Sequence, residues 1–352
     1  MSTIGARKAD HLALCATDEV AFRDKTTLLE QVRFIHDALP DLDAAALDLS
    51  CTILGKPLRA PLLIAAMTGG TEAAARINRE LASIAEERGL GFGLGSQRAM
   101  HIRADTSGSY QVRDVAPTAL VLGNLGVVQA RQMTTPEIES LAHDIGADAL
   151  CIHLNPAMEL VQPGGDRDFT GGLETIARLV SDLTMPVVVK ETGCGLSRGV
   201  GERLVRVGVR HVDTSGAGGT SWVAVETKRA EAAQEHAARA LGETLWDWGI
   251  PTAASVGMLA PLGFETLVAT GGIASGLDVA RAIALGASAA GIARPMLKAL
   301  TAGGRAGALE LLDGILTELR AIMLLTGSAD VAGLRKAPRL LGGELRSWLE
   351  DR

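Results

Sequence analysis

The sequence predicts one α/β unit closed into a (β/α)8 barrel, and three observations carry that expectation. From about residue 60 onward, short aliphatic runs alternate with amphipathic stretches, the rhythm of strand and helix units around a parallel sheet. Of the 352 residues, 47% are hydrophobic but only 3% aromatic, so the core must be built from Ala, Leu, Val and Ile. That suits strands buried on both faces. The rival, an open doubly wound sheet, needs a GxGxxG turn after its first strand, which MTGGTEAA at 67–74 does not supply.

Eight strands can be placed in order: Leu62–Met67, Gly91–Leu94, Ala119–Gly123, Ala149–His153, Val187–Lys190, His211–Thr214, Thr266–Thr270 and Ala289–Ile292. Between them lie the helical patterns TEAAARINRELASIAEERG, TPEIESLAHDIG, GLETIARLVSDL and SGLDVARAIALG, several begun by Ser or Thr and stopped by Gly. Residues 1–58 read as an N-terminal extension, 59–327 as the TIM-type barrel, and 328–352 as a C-terminal tail that follows a last helix starting near 306. Residues 220–250 break the rhythm. They are long and polar after the sixth strand and read as a lid-like insertion over the active face.

A formal charge of −7 argues against nucleic acid as a partner, because phosphate backbones are held by a surplus of Lys and Arg. An anionic small molecule then needs a local basic pocket. Cys15, Cys51, Cys151 and Cys194 lie far apart with no CxxC pair, which disfavours a zinc site or a disulfide framework and fits a reducing cytoplasm. The opening MSTIGARKADHLALC is charged from Arg7 onward and contains no long apolar run, so neither a signal peptide nor a membrane span is expected.

In such barrels the chemistry sits just past the C-terminal strand ends. The polar and glycine-rich motifs fall there: MTGG (67–70), GSQR (95–98), GNLG (123–126), HLNPAMELVQPGGDRDF (153–169), VKETGCGLS (189–197), DTSGAGGTSW (213–222), TGGIASG (270–276) and GIARPML (291–297). Any one glycine pair could serve a turn alone. Gly271 and Gly272 after the seventh strand, with Ala293 and Arg294 after the eighth, together resemble a phosphate cradle, to which the helix starting near Ser275 is expected to add its positive end.

Lys190 closes a run of three valines, and a lysine leaving an apolar strand needs a negative partner. Three roles compete: stabilising a reduced flavin, forming a Schiff base, or pairing with Glu191 or Asp213. His153 and Asn155 flank Leu154 and face one side, followed by Glu159, a carboxylate suited to Mg²⁺ beside a diphosphate. A lone histidine is more often structural. Arg7, Lys8 and His11 form a compact basic group; by itself such a group is a solvated or frayed terminus, but with an anionic substrate in view it becomes a clamp, joined by Arg98.

Taken in series, RKADH at 7–11, MTGG, GSQR, HLN, VKE-G-GLS, SGAGGTSW, TGGI and the ARPML segment resemble the type 2, FMN-dependent isopentenyl-diphosphate delta-isomerases, from Arg7 to Leu297. The resemblance implies conversion of isopentenyl diphosphate to dimethylallyl diphosphate, reduced FMN primed by NAD(P)H, Mg²⁺ on the diphosphate, and a homotetramer or octamer. It implies flavin contacts at Thr68, Ser96, Asn124, Lys190, Ser215, Thr220, Gly272 and Ala293, beside the cradle residues Gly271 and Arg294. It also implies diphosphate contacts at Arg7, Lys8, His11, Arg98, His153 and Asn155, and a metal ligand at Glu159. The flavin itself is the expected acid–base group, with Lys190, His153 and Asn155 in support.

One position departs from the family pattern. HLNPAMELV places Met158 in the substrate wall where the family reads glutamine, and Pro163-Gly164-Gly165-Asp166 replaces Pro-Glu-Gly-Asp. A thioether cannot donate a proton. A barrel with an altered substrate, or a non-catalytic flavin- or diphosphate-binding homologue, is the alternative this raises. Two others are weaker. A 2-hydroxy-acid oxidase wants a His base with paired arginines, and His211 merely begins the sixth strand. A nucleophilic Cys194 is disfavoured because Gly193 and Gly195 suggest a tight turn.

Overall fold

The computed structural model describes residues 4–350. Eight parallel strands close a barrel: β1 (Leu62–Ile64), β2 (Gly91–Gly93), β3 (Leu120–Gly126), β4 (Ala149–His153), β5 (Val187–Lys190), β6 (His211–Asp213), β7 (Thr266–Ala269) and β8 (Ala289–Ile292). Closure runs through Ala290 to Leu62, Gly291 to Leu63 and Ile292 to Ile64. The expected first strand, Leu62–Met67, pairs only to Ile64; Ala65 still donates to Ile292, and the chain then leaves the wall for the mouth. The third runs three residues further than expected, because Leu122–Gly126 matches all five residues of β4.

Alternation sorts the aliphatic residues. Leu63, Leu122, Cys151, Val188 and Val268 fill the interior, while Ile64, Val121, Ile152, Val189 and Val212 face the helices. A hairpin, Cys51–Ile53 against Lys56–Leu58, plugs the N-terminal mouth with Ile53 and Leu58, so among the described residues it is the C-terminal mouth that stays open. Helix starts follow the sequence signals: Thr71 caps Glu72–Arg88, and Thr134 with Glu137 makes a capping box on Thr135–His143.

Helices α1 (Ile4–Cys15), α2 (Pro156–Val161), α3 (Trp222–Ala232) and α6 (Arg294–Leu325) give residues to the mouth; α4 (His236–Leu245) packs on α2 and α3, and α5 (Gly276–Ala284) follows the loop after β7. The 220–250 segment is polar in sequence, yet α3 buries Val223, Ala224, Val225, Glu226 and Thr227. It is tied to the extension: Ala21 bridges Thr220, and the Trp246 indole donates to the Ala21 carbonyl at 2.9 Å. Residues 32–34 of the extension also pair with 339–341 of the tail. The ARPML segment after β8 opens α6, with Pro295 in its first turn, where a missing N–H costs nothing. Among the described residues no helix is long and apolar enough to cross a membrane.

Candidate active site

One cavity of about 440 Å³ opens at the C-terminal mouth, within the usual size range for small-molecule sites. Every residue singled out from the sequence as a flavin, diphosphate or metal contact lines it, from Arg7, Lys8 and His11 to Gly271, Gly272, Ala293 and Arg294.

The cradle side is backbone packed on backbone. A Cβ at Gly271 would collide with the Gly216 carbonyl, and one at Gly219 with the Gly272 amide, so the loops after β6 and β7 interlock only as glycines. Thr252 Oγ1 donates to the Gly271 carbonyl at 2.6 Å and fixes the turn. Ser215, a non-glycine residue at φ 38°, holds the β6 loop in a left-handed conformation, a strain typical of functional turns.

The expected helix end is corrected. At the start of α5, Ser275 accepts from the Asp278 amide, Asp278 accepts from Ala274 and Ser275, and Glu318 accepts from Gly276. Its first N–H groups are spent on two carboxylates, so it offers an anion little. By contrast α6 carries no side-chain cap at its N-cap, Ala293, and its first residue is Arg294, whose Nη1 is buried without a hydrogen-bond partner among the described residues.

At the floor, Lys190 Nζ donates to the backbone carbonyl of Glu191 at 2.6 Å. The Glu191 carboxylate turns away to accept from the Thr192 and Cys194 amides, and burial pushes it up to about 7. Asp213, the ladder partner of Lys190, accepts from Thr270 Oγ1 at 2.6 Å; burial raises its pKa while Lys190 opposes the rise. Gly193 and Gly195 both sit at positive φ, forming the turn the sequence suggests around Cys194. Burial pushes that thiol well above its usual range, the opposite of an activated nucleophile. His211 bonds Thr266 at the start of its strand and does not line the cavity.

The clamp side is made of side chains. Residues 7, 8, 11, 12 and 15 share one face of α1, turned into the cavity. Arg7 Nη1 donates to Gln162 Oε1 at 3.1 Å, while its Nε is buried without a partner among the described residues. Lys8 reaches the Ser96 carbonyl and the Tyr110 hydroxyl, and His11 Nε2 lies 2.7 Å from Glu226 and edge-on to Trp222. These are not the contacts of a frayed terminus. Burial, then Arg98, lowers the Arg7 pKa; burial, then Arg7, brings Lys8 down to about 7.

His153 Nδ1 lies 2.8 Å from Asn124 Oδ1, and the Asn124 amide nitrogen donates to the Leu94 carbonyl. That places the imidazole proton on Nδ1 and leaves Nε2 with a lone pair. Burial, with Lys190, Lys8 and Arg98 nearby, depresses its pKa to about 3, so the ring is neutral. Asn155 donates to Glu159 at 2.9 Å, Gln162 to the other carboxylate oxygen at 3.2 Å, and the Asp166 amide to that same oxygen at 2.8 Å. A carboxylate has roughly four lone-pair positions, so about one is left for a cation. Arg98 lies 3.9 Å from Asp166, and Met158 forms a half-buried apolar part of the wall.

Sequence reasoning passed over Tyr110, Gln162 and Glu226. Glu226 is fully buried, held below the usual carboxylate range because His11 and Arg229 outweigh its burial. A lone carboxylate closing the apolar run WVAV was its signal.

A closed parallel barrel with a glycine cradle after its last strands and a lysine at its floor is the architecture of FMN-binding barrel enzymes. The sequence profile of the FMN-dependent dehydrogenases matches residues 2–159 and 161–339. The isopentenyl-diphosphate delta-isomerase of Methanosarcina mazei is 44% identical over 353 residues, covering 100% of this chain and 96% of that one. Its counterpart from Synechococcus is 47% identical over 341 residues, covering 95% and 96%, and that from Pyrococcus furiosus 42% over 357, covering 98% and 89%. The chain therefore belongs to the FMN-dependent isopentenyl-diphosphate delta-isomerase family. A solved mandelate oxidase variant superposes with TM-score 0.66 at 18% identity, covering 97% of this chain and 100% of that one, a likeness of fold alone.

Proposed function

We propose that this chain converts isopentenyl diphosphate to dimethylallyl diphosphate on reduced FMN, with Mg²⁺ on the diphosphate and NAD(P)H as the reductant. One observation carries the reading: two arginines at different ends of the same cavity, Arg7 and Arg294, each keep a buried N–H without a partner among the described residues. A buried cationic donor left unpaired is costly, so each points to an anion. Arg294 belongs with the cradle and suits the FMN phosphate; Arg7 belongs with Lys8 and Arg98 and suits a diphosphate.

Reduced FMN, when bound, would supply an electron-rich face and an acid–base edge for the proton shift. Lys190 would place an ammonium at the cavity floor, and Asn124 holds His153 with its proton on Nδ1. Protonating an alkene creates a carbocation-like centre that water would trap. Leu12, Met158, Trp222 and Leu297 make the wall apolar, and α1 lies across the mouth. Among the described residues no cluster of three or more His, Cys, Asp or Glu could cage a metal. Mg²⁺ commonly binds through one carboxylate, substrate phosphates and water, and Glu159 fits that pattern. Exposed Ile35, Leu39, Leu325 and Leu340, on neighbouring segments, suit a homo-oligomer, which mass measurement in solution would read.

The test is an anaerobic assay of the reduced, FMN-loaded protein with Mg²⁺ and isopentenyl diphosphate. Dimethylallyl diphosphate above background is expected, and its absence overturns the reading. Met158 favours a second reading, a homologue that binds without turnover; tight diphosphate binding with no product would support it. We expect Met158→Gln to change turnover less than about tenfold. A gain of several orders of magnitude would show that the amide, not the flavin, carries the proton.

A further inference from the structure

The MTGG motif is not used up by the cradle. A Cβ at Gly69 would collide with the Tyr110 ring, and one at Gly70 with the Ala99 side chain. The Gly70 amide donates to Ser109 Oγ at 2.7 Å, and Asn78 ties the Thr68 carbonyl to the Ser109 carbonyl. These bonds hold the chain's single tyrosine, fully buried, against the loop after β1.

Tyr110 donates its hydroxyl proton to the Ser96 carbonyl at 2.7 Å, so toward Lys8, at 3.1 Å, it can only accept. Lys8 also donates to the Ser96 carbonyl at 3.0 Å, and its Nζ lies 5.6 Å from the Tyr110 ring centroid. An ammonium has three N–H groups. Two are fixed by this socket, which leaves one for the cavity.

We propose that Tyr110 is a positioning residue for the diphosphate: its hydroxyl, with the Ser96 carbonyl, holds the Lys8 ammonium so that the remaining N–H meets the anion. The proposal rests on the reading of Lys8 as part of the diphosphate clamp. Burial supports it, since an ammonium in this setting loses its proton easily and needs acceptors to stay charged.

The experiment titrates inorganic diphosphate into FMN-loaded protein with Mg²⁺ by calorimetry, using wild type, Tyr110→Phe, Lys8→Met and the double variant. Tyr110→Phe should weaken binding about tenfold, as expected for a hydrogen bond to a charged group. In the Lys8→Met background the same change should cost less than about twofold, because the group it positions is gone. FMN affinity should stay constant throughout. Equal losses with and without Lys8, or wild-type binding by Tyr110→Phe, overturn the proposal. Lys8→Arg is a separate arm that leaves Tyr110 in place: a socket shaped for a compact ammonium should reject the planar guanidinium, and wild-type binding by that variant overturns it too. No binding by wild type itself would instead sink the clamp reading beneath it.

Discussion

The cradle after β6, β7 and β8 and the clamp beneath α1 face the same cavity and are both suited to anions, yet they are made of different material. The cradle consists of glycine backbone packed so closely that a methyl group does not fit, with Arg294 at its edge. The clamp consists of basic side chains, each held by a partner from a distant segment: Gln162 for Arg7, Tyr110 for Lys8, Glu226 for His11. Backbone N–H groups cannot titrate and barely move; side-chain cations can do both. A tightly held cofactor suits the first construction, and a substrate that must arrive and leave suits the second.

The largest expected effect breaks the cradle alone. Gly271→Ala forces a side chain against the Gly216 carbonyl at a φ of 100°, and should weaken FMN binding at least about 100-fold, read by flavin fluorescence. Comparable FMN affinity would mean that the loops can separate. Arg7→Met is the reciprocal cut: KM for the diphosphate should rise about 30-fold while FMN affinity stays within about twofold. A parallel loss of FMN would show that the two ends are not independent.

pH separates the two constructions without mutation. The half-buried Lys8 has its pKa brought down to about 7, with Arg7 beside it, Tyr110 against it, and His153 and Arg98 sharing the same field. As pH rises through that value the clamp loses a charge, so kcat/KM should fall, by at most about tenfold per pH unit. Lys8→Met should abolish that limb, and FMN affinity should not follow it. The smallest effect belongs to a residue in neither construction: Cys194→Ser should change turnover less than about twofold, because the half-buried thiol stays protonated and its backbone already serves Glu191. A large loss would revive a nucleophilic cysteine.

The two regions were also unequally legible. Gly271, Gly272 and Arg294 could be read as a cradle from their place after two consecutive strands. The helix end expected to assist it could not, because Ser275 suggests only that a helix begins; that Asp278 and Glu318 occupy its N–H groups depends on the fold. Arg7, Lys8 and His11 could be listed, but by charge alone they were indistinguishable from a solvated terminus. The polar 220–250 segment hid the buried Glu226, because in sequence a carboxylate among alanines and valines does not reveal what lies across from it.

By itself, the sequence determined the barrel, the strand ends whose loops line the cavity, and the ordered motifs that mark the family. Each of these is written in a local period or a short run, since a strand alternates every second residue and a turn is specified by its own glycines. Tertiary structure alone decided which charges are buried, which helix starts have their N–H groups occupied and what holds each basic side chain. Those contacts join Lys8 to Ser96 and Tyr110, 88 and 102 positions away, Arg7 to Gln162 across 155, and His11 to Glu226 across 215. No local pattern spans such separations. They close only when the barrel brings its strand ends, its insertion and its N-terminal helix to one cavity.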